Sequence, residues 1–264
     1  MDKYTESNRH MWDLWTQSHV ISQTYDLESF KKGECSLNDP EIKALGDVEG
    51  KTMLHLQCHF GMDSLSWARK GAIVTGVDIS SESIEFARKL SEQLKIPAKF
   101  LQSDVYDLPE TIDEKFDIVF CSYGILHWLP DLSRWAKIIK SFLKPNGIFY
   151  LIDVHPLART FRTDDQDWVC RGSYFSKEQP NIEMTTKSYT EIPTSPAICT
   201  TWQHSLSEIF TALLNEDFEI KKFNEYHWCY RKAREDMVQI DRHKWVPSQQ
   251  VSIPFTFELM CMST

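Results

Sequence analysis

The chain has 264 residues, 42% of them hydrophobic and 25% charged, which is ordinary for a globular protein with one sizeable core. Its formal net charge of −9 disfavours a nucleic-acid-binding groove, because phosphate binding needs a positive field. No apolar run reaches the roughly 18 residues of a membrane span, and the N-terminal residues lack the apolar stretch of a secretory signal. Seven widely spaced cysteines without a Cys-x-x-Cys pair favour a reduced, cytoplasmic setting over a disulfide framework or a zinc site.

Residues 1–50 are predicted to form a helical lead-in. Trp12 and Trp15 lie three positions apart, so they share one face of a helix. Together with Tyr25 and Phe30 they either pack the lead-in on the rest of the protein or cover a ligand, and the sequence favours neither reading.

Strands and helices alternate over residues 52–153. Apolar runs predict five strands, at 52–59, 72–78, 98–104, 116–122 and 148–153. Helical spacing predicts three helices, at 62–70, from an N-cap at Ser80 or Ser81 to about residue 94, and at 131–143. Residues 144–147, Lys-Pro-Asn-Gly, are predicted to form a tight turn. This alternation implies a parallel sheet that is covered on both faces.

The pattern changes after Asp153. Residues 156–203 are polar and aromatic, and segments 182–189 and 197–203 are predicted to pair as a hairpin. A loop-rich insertion of this length is more often a lid or specificity element than a linker. A helix at 205–214 and strands at 218–223 and 253–260 follow.

The stretch from residue 52 to Asp78 has the order in which an α/β fold holds a nucleoside. A buried strand leads into a turn that ends in Gly61, and then come a helix and a second strand that ends in Asp78. The turn lets a ligand approach the backbone, and the carboxylate can accept hydrogen bonds from both ribose hydroxyls. Asp78 is therefore predicted to bind ribose rather than to be a strand-end carboxylate without function.

These motifs resemble those of the class I S-adenosylmethionine-dependent methyltransferases over essentially residues 45–225. Asp78, within Gly-Val-Asp-Ile-Ser, matches the ribose-binding carboxylate, and Ser-Asp-Val at 103–105 matches the adenine-binding step. Residues 116–123 match the fourth-strand motif at the methionine end, and Leu-Lys-Pro-Asn-Gly at 143–147 matches the turn before strand five.

The first motif of that family departs from its usual form. The family has an acidic residue followed by Gly-x-Gly-x-Gly, whereas this chain reads His-Leu-Gln-Cys-His-Phe-Gly, with His55 at the acidic position and Gly61 as the remaining glycine. The chain is similar to a small-molecule-like subgroup that shares this wording. The last glycine is expected to matter most, because the backbone passes closest to the ligand there.

The resemblance implies a Rossmann-like, doubly wound α/β fold. Its seven-stranded sheet would be mostly parallel with the last strand antiparallel, in one domain with a helical cap at 1–50 and an inserted substrate lid at 156–203 after strand five. It implies S-adenosyl-L-methionine as cofactor, bound by Gln57, His59, Gly61, Asp78, Ile79, Asp104, Val105 and Ser122. The reaction would be in-line displacement at a sulfonium methyl, in which the protein mainly aligns the acceptor and excludes water.

A metal site is the alternative reading of His55, Cys58 and His59. Residues 55 and 58 point to opposite faces of a strand, so they cannot converge without a turn between them, and no second group of ligands is present. No metal is therefore expected, and Cys58 is predicted to be a small core residue.

Three residues are candidates for a catalytic role. His127 follows the fourth strand, where an acceptor would lie, and its pKa near working pH suits a general base. His155, after the fifth strand, and Tyr123 have similar claims, and each could equally be a structural residue. A general base is needed only if the acceptor must lose a proton.

The leading functional hypothesis is methyl transfer to a small molecule by a cytoplasmic monomer or homodimer that binds neither nucleic acid nor a membrane. A non-catalytic S-adenosylmethionine-binding or regulatory protein is the alternative, which the altered first motif supports. A nicotinamide-dependent dehydrogenase is disfavoured, because Gly-x-Gly-x-x-Gly is missing after the first strand.

Overall fold

The computed structural model describes residues 2–161, 168–249 and 251–264. Its helices are α1 Lys3–Val20, α2 Leu27–Lys31, α3 Asp39–Leu45, α4 Met62–Arg69, α5 Ser81–Leu94, α6 Leu132–Phe142 and α7 Leu206–Leu214. Short 3-10 turns lie at Leu108–Glu110, Leu126–Trp128 and Ala158–Thr160. Its strands are β1 Thr52–Leu56, β2 Ile73–Asp78, β3 Lys99–Gln102, β4 Phe116–Ser122, β5 Leu143–Val154, β6 Asn181–Lys187, β7 Pro193–Thr201, β8 Phe218–Tyr226, β9 Met237–Asp241, β10 Lys244–Pro247 and β11 Thr256–Ser263.

Seven strands form one sheet in the order β3-β2-β1-β4-β5-β11-β8. The pairs among the first five of these strands are parallel, and β11 runs antiparallel to both β5 and β8. The predicted Rossmann-like sheet with an antiparallel last strand is therefore confirmed. Strand order reverses between β1 and β4, and in open α/β sheets ligands bind at the carboxyl ends of the strands beside such a reversal.

The end of the first strand differs from its prediction. β1 ends at Leu56 rather than at residue 59. The reason is that Gln57 and His59 have positive φ angles of 54° and 51°, which turn the chain out of the sheet.

The start of β5 also differs. Residues 144–147, predicted as a turn before the strand, lie within it. Phe116 of β4 pairs with Leu143, and two residues further along β4 the partner is already Ile148, so the extra residues of β5 form a bulge. Asn146, with φ of 61°, provides the bend that its sequence indicated.

Two antiparallel hairpins lie outside the main sheet. β6 pairs with β7 in the insertion, as predicted, although the strands begin earlier than expected. β9 pairs with β10 between the last two strands of the sheet, and the sequence analysis missed this hairpin.

Both faces of β4 are buried. Val119 and Cys121 join the apolar cluster that contains residues of α6 and α7, whereas Ile118 and Phe120 join the cluster around Trp67 of α4. This follows from the alternation of side chains along a strand. A strand buried on both faces cannot shift its register without exposing apolar groups, so it holds the residues at its carboxyl end in place.

Helix α1 joins the insertion to the core. The Asn8 side chain forms two hydrogen bonds with the backbone of Thr200 in β7, at 2.8 and 2.9 Å. Five residues further along α1, Asp13 Oδ1 accepts the Ser80 hydroxyl at 2.7 Å and the Glu82 N–H at 3.2 Å. α1 is therefore fixed across the carboxyl ends of the central strands. None of the described helices has both the length and the apolar character needed to cross a bilayer.

Candidate active site

A cavity of about 200 Å³ opens at the carboxyl ends of β1, β2, β3 and β4, beneath α1. Trp12 of α1, Tyr25 of the following turn, Tyr189 of the insertion and Arg231 beyond β8 also contribute to its wall. Nine of the residues selected from the sequence line it, namely Gln57, His59, Gly61, Asp78, Ile79, Asp104, Val105, Ser122 and Tyr123. They come from four different strand ends, so the sheet is what brings them together.

Asp78 ends β2 with its carboxylate buried beside the cavity. Its Oδ2 accepts the His59 N–H at 2.7 Å and its Oδ1 accepts the Ser80 N–H at 2.9 Å. Burial raises the pKa of Asp78 to about 6, although both N–H donors act to lower it. Each carboxylate oxygen keeps a further lone pair, so Asp78 can still accept two hydrogen bonds from a cis-diol.

The turn between β1 and α4 has left-handed backbone at Gly61 as well as at Gln57 and His59, with φ of 82° at the glycine. A Cβ at Gly61 would lie 2.8 Å from ring atoms of Phe100 and 3.0 Å from the Ala87 Cβ. The contact that excludes a side chain here is therefore with the core of the protein. Close packing against α5 and β3 thus requires glycine here, and the predicted close approach of a ligand at Gly61, which also lines the cavity, stays a prediction.

His59 and His19 form a buried pair next to this turn. Nε2 of His59 lies 2.7 Å from Nδ1 of His19. The outer ring nitrogens lie 2.9 Å from the Ser83 hydroxyl and 2.8 Å from the Ser188 hydroxyl. Burial lowers the pKa of His19 to about 3 and holds the pKa of His59 well below its ordinary value, so both rings are neutral. His19 was not among the site residues predicted from the sequence.

Asp63 is a second residue that the sequence analysis missed. It lies in the first turn of α4, lines the cavity, and accepts the hydroxyls of Ser36 at 2.6 Å and Ser122 at 2.8 Å. His55, which also lines the cavity, lies 2.7 Å from the Ser64 hydroxyl, and burial lowers its pKa to about 4. Acidic residues are common in first helical turns because they interact favourably with the helix dipole. The sequence around Asp63 therefore did not mark it as a binding residue.

Tyr123 is held from three sides at the carboxyl end of β4. Its hydroxyl accepts the Asn38 side-chain amide at 2.9 Å and donates to Glu41 Oε2 at 3.3 Å. Its ring stacks on Tyr230 with centroids 4.5 Å apart. Burial, followed by the charge of Glu41, raises the pKa of Tyr123 well above its usual value, and burial raises the pKa of Glu41 to about 8. Tyr123 is therefore a neutral phenol that can form hydrogen bonds.

His127 and His155 are not among the residues that line this cavity. His127 lines a smaller neighbouring one, and burial lowers its pKa well below the ordinary value. His155 is buried after β5, where its Nδ1 accepts the Leu157 N–H at 3.1 Å and its Nε2 lies 2.9 Å from Glu225 Oε1. Of the three predicted catalytic residues, Tyr123 alone lines the main cavity.

Comparison with known proteins identifies the family to which this chain belongs. A family model described as a methyltransferase domain matches residues 47–231. The chain belongs to this methyltransferase family. The resemblance to the class I S-adenosylmethionine-dependent methyltransferases is confirmed, and S-adenosylmethionine is the cofactor that the family implies.

Curated relatives of this methyltransferase include two ubiquinone biosynthesis O-methyltransferases. The protein from Pasteurella multocida is 36% identical over 165 residues, which cover 59% of this chain and 64% of that protein. The protein from Photorhabdus laumondii is 33% identical over 192 residues, which cover 70% of this chain and 77% of that protein. The first three curated relatives are matched over 64%, 49% and 66% of their own lengths.

Solved structures share the fold of this methyltransferase. The DhpI-SAM-HEP complex has a TM-score of 0.60 at 18% identity, over 99% of this chain and 98% of that chain. An S-adenosylmethionine-dependent methyltransferase from Clostridium acetobutylicum has a TM-score of 0.56 at 14% identity, over 97% of this chain and 98% of that chain.

The cavity of this methyltransferase fits S-adenosylmethionine. Gln57 donates through Nε2 to the Ile125 carbonyl at 3.2 Å, whereas its buried Oε1 has no hydrogen-bond partner among the described residues. Such an acceptor suits a ligand that carries ammonium and hydroxyl donors. Asp78 suits the ribose diol, and the rings of Trp12 and Tyr25 suit a cationic sulfonium. No group of three or more metal-ligating side chains in the described ranges is placed to hold a metal ion.

Proposed function

We propose that this methyltransferase transfers a methyl group from S-adenosylmethionine to a hydroxyl oxygen of a small-molecule acceptor. The observation that carries the proposal is one continuous cavity in which the nucleoside-binding carboxylate Asp78 and the phenol of Tyr123 both take part in the wall. The printed name of the curated relatives, O-methyltransferase, supports oxygen as the nucleophile. The acidic net charge of −9 supports a small acceptor over a nucleic acid.

In this proposal the first three parallel strands bind the nucleoside. Asp78 accepts hydrogen bonds from the ribose, and the loop after β3 with Asp104 takes the adenine, whose amino group is a donor. Asp104 already accepts the Tyr106 N–H at 3.0 Å through Oδ1, which fixes its orientation. The cofactor-binding set remains Gln57, His59, Gly61, Asp78, Ile79, Asp104, Val105 and Ser122.

Asp63 and Gln57 take the methionine end. A carboxylate and an unpaired amide oxygen are the acceptors that an α-ammonium group needs. Asp63 here supplies the negative charge that the family's first motif usually carries at the position of His55. The carboxylate thus comes from the following helix instead of the preceding strand.

The acceptor lies on the side of Tyr123. A bound S-adenosylmethionine would supply the methyl group from its sulfonium and leave as S-adenosylhomocysteine, and the proton of the acceptor hydroxyl would pass to solvent. Because the O–H of Tyr123 is donated to Glu41, its oxygen would orient the acceptor by accepting a hydrogen bond, and its raised pKa keeps the phenol protonated. His127 and His155 act only through neighbouring groups in this proposal, because neither lines the cavity.

In this proposal the described part of the insertion, residues 156–161 and 168–203, acts as a lid over this cavity, and residues 162–167 of the predicted lid lie outside the described residues. Tyr189, between β6 and β7, lines the cavity and hydrogen-bonds to Tyr25 of the N-terminal lead-in. The two segments would exclude water during transfer. We place the protein in the cytoplasm as a monomer or homodimer, and its seven free cysteines support a reducing compartment.

Calorimetric titration with S-adenosylmethionine and, separately, with NAD tests the proposal. We expect saturable binding of S-adenosylmethionine alone, and formation of S-adenosylhomocysteine when a panel of catechols and phenols is added. Binding of NAD alone would exclude the proposed function. Binding of S-adenosylmethionine without turnover of any hydroxyl or amine compound would favour the non-catalytic alternative.

A further inference from the structure

Arg231 is a charged side chain in the cavity wall, and it has no ionic partner among the described residues. Its Nε donates to the Tyr230 hydroxyl at 3.2 Å, and its guanidinium lies 4.6 Å from the centre of the Tyr189 ring. Arg9 and Arg242 each form an ion pair with a carboxylate, whereas Arg231 forms none in the part of the chain that the structure describes.

The groups around Arg231 include more positive than negative charge. Arg159 lies close enough that the two positive charges oppose each other, and its Nε is buried without a hydrogen-bond partner among the described residues. Asp153, a carboxylate whose charge acts on Arg159, already accepts the N–H groups of Gly124, Ile125, Leu126 and Val154. His127 and His19 face Arg231, and burial keeps both rings neutral. This end of the cavity therefore carries an excess of positive charge.

Such an arrangement is energetically unfavourable unless an anion joins it. A guanidinium stays charged under all ordinary conditions, and Arg231, which is half-buried beside a second arginine, is stabilised by an anionic partner. The planar guanidinium fork matches the geometry of carboxylate and phosphate groups and can bind them through two parallel hydrogen bonds. An oxyanion bound in the cavity would supply the missing partner.

The position of Arg231 favours the acceptor over the cofactor as the source of that oxyanion. Tyr230, which binds the Arg231 Nε, also stacks on Tyr123, so Arg231 lies on the side that we assign to the acceptor. The sulfonium of the cofactor is positive, and it gains nothing from a nearby guanidinium unless an anion lies between them.

We propose that Arg231 binds an oxyanionic group of the methyl acceptor, so that the enzyme selects hydroxylated small molecules that carry a carboxylate or a phosphate-type group. The inference rests on the proposed function and narrows its substrate class. Tyr189 and Tyr230 position the guanidinium, and the insertion thereby contributes to specificity.

The test uses 3,4-dihydroxybenzoate and its neutral counterpart 3,4-dihydroxybenzamide, titrated into the 264-residue protein with and without S-adenosylhomocysteine. Phenyl phosphate serves as a phosphate-type probe. We expect at least one anionic probe to bind wild type about tenfold or more tightly than the amide, and Arg231→Gln to abolish that preference. Arg231→Lys, which keeps the charge and loses the fork, should retain part of it.

Arg69→Gln is the matched control. Arg69 also stacks on an aromatic ring, that of Phe30 at 4.2 Å, but it donates to two backbone carbonyls and does not line the cavity. The Arg69→Gln variant should prefer the anionic probes over the amide to the same degree as wild type. Thermal unfolding of each variant checks that the fold is retained.

Cofactor affinity distinguishes the alternatives. If Arg231→Gln weakens S-adenosylmethionine binding tenfold or more, the residue binds the methionine carboxylate and the inference is overturned. Equal binding of anionic and neutral probes, or no binding of any, would also overturn it. Failure of wild type to bind S-adenosylmethionine would instead remove the proposed function, while the anion preference of the free protein would still be measured.

Discussion

His19 of α1 and His59 of the β1–α4 turn face each other, with Nδ1 of the first 2.7 Å from Nε2 of the second. One of the two nitrogens donates and the other accepts, which requires at least one neutral ring. Ser188 of the insertion hydrogen-bonds to the far side of His19, so this pair connects the lead-in, the β1–α4 turn and the insertion. The contact between these three segments therefore depends on at least one uncharged imidazole.

This pair predicts a pH dependence of stability. Burial lowers the pKa of His19 to about 3, whereas an unfolded histidine has a pKa of about 6.5. Between these values the unfolded chain binds more protons, so stability present above pH 6.5 is lost as the pH falls. When the pH falls from 7.5 to 5.0, the unfolding free energy of wild type should decrease by about 2 kcal/mol because of His19. The His19→Asn variant should not show this decrease.

Urea denaturation at the two pH values measures this difference. His10→Asn, on the exposed side of the same helix, is the control and should behave as wild type. Asp78 acts in the opposite sense, because its raised pKa favours folding as the pH falls, but it does so equally in all three proteins. Identical pH slopes for wild type and His19→Asn would contradict the prediction.

Asp78→Ala should weaken S-adenosylmethionine binding by about a hundredfold, because it removes the acceptor of two ribose hydrogen bonds. Asp113→Ala, at an exposed position before β4, is the control and should leave affinity unchanged. Calorimetric titration gives both values. Wild-type affinity in the Asp78 variant would remove this residue from the cofactor site.

Cofactor affinity should also depend on pH through Asp78. Burial raises the pKa of this carboxyl to about 6, so below that pH it protonates and loses acceptor capacity. S-adenosylmethionine should bind about tenfold more weakly at pH 5 than at pH 7.5. Titrations across this range should show the dependence in wild type and a flat profile in Asp78→Ala. A flat wild-type profile would mean that the diol does not rely on this carboxylate.

Gly61→Ala should destabilise the fold by about 2–4 kcal/mol, since the new Cβ would meet the Phe100 ring at 2.8 Å with the backbone at φ of 82°. Gly33→Ala, at φ of 109° with no atom within 4 Å, isolates the backbone strain and should cost about 1–2 kcal/mol. Chemical denaturation gives both values. A double-mutant cycle with Phe100→Leu should show favourable coupling of about 1 kcal/mol, and zero coupling would refute the packing explanation.

The cofactor side of the cavity was largely predictable from the sequence. Asp78 and Ser122 are the last residues of β2 and β4, and Asp104 lies two residues after β3, so a local pattern marks them. Less predictable was the turn after β1, where Gln57 and His59 adopt left-handed backbone that glycine favours. Only the packed structure shows that this conformation is reached without glycines at those positions.

The opposite wall carried no such local signal. Arg231, Tyr189 and His19 come from the segment after β8, the insertion and α1, which lie far apart in the chain. Residue type alone does not mark these three positions, because arginine, tyrosine and histidine also occur at surface positions. His127 and His155 illustrate the converse, since both follow strands yet their side chains do not line the main cavity.

The sequence by itself determined the order of strands and crossover helices along the chain and the carboxylate at the end of β2. Apolar periodicity and turn residues mark these features because each extends over only a few positions. Tertiary structure decided which remote side chains close the cavity and whether their charges are paired. Burial and pairing depend on every segment that packs around a group, so the neutral His19–His59 pair and the unpaired charge of Arg231 exist only in the folded protein.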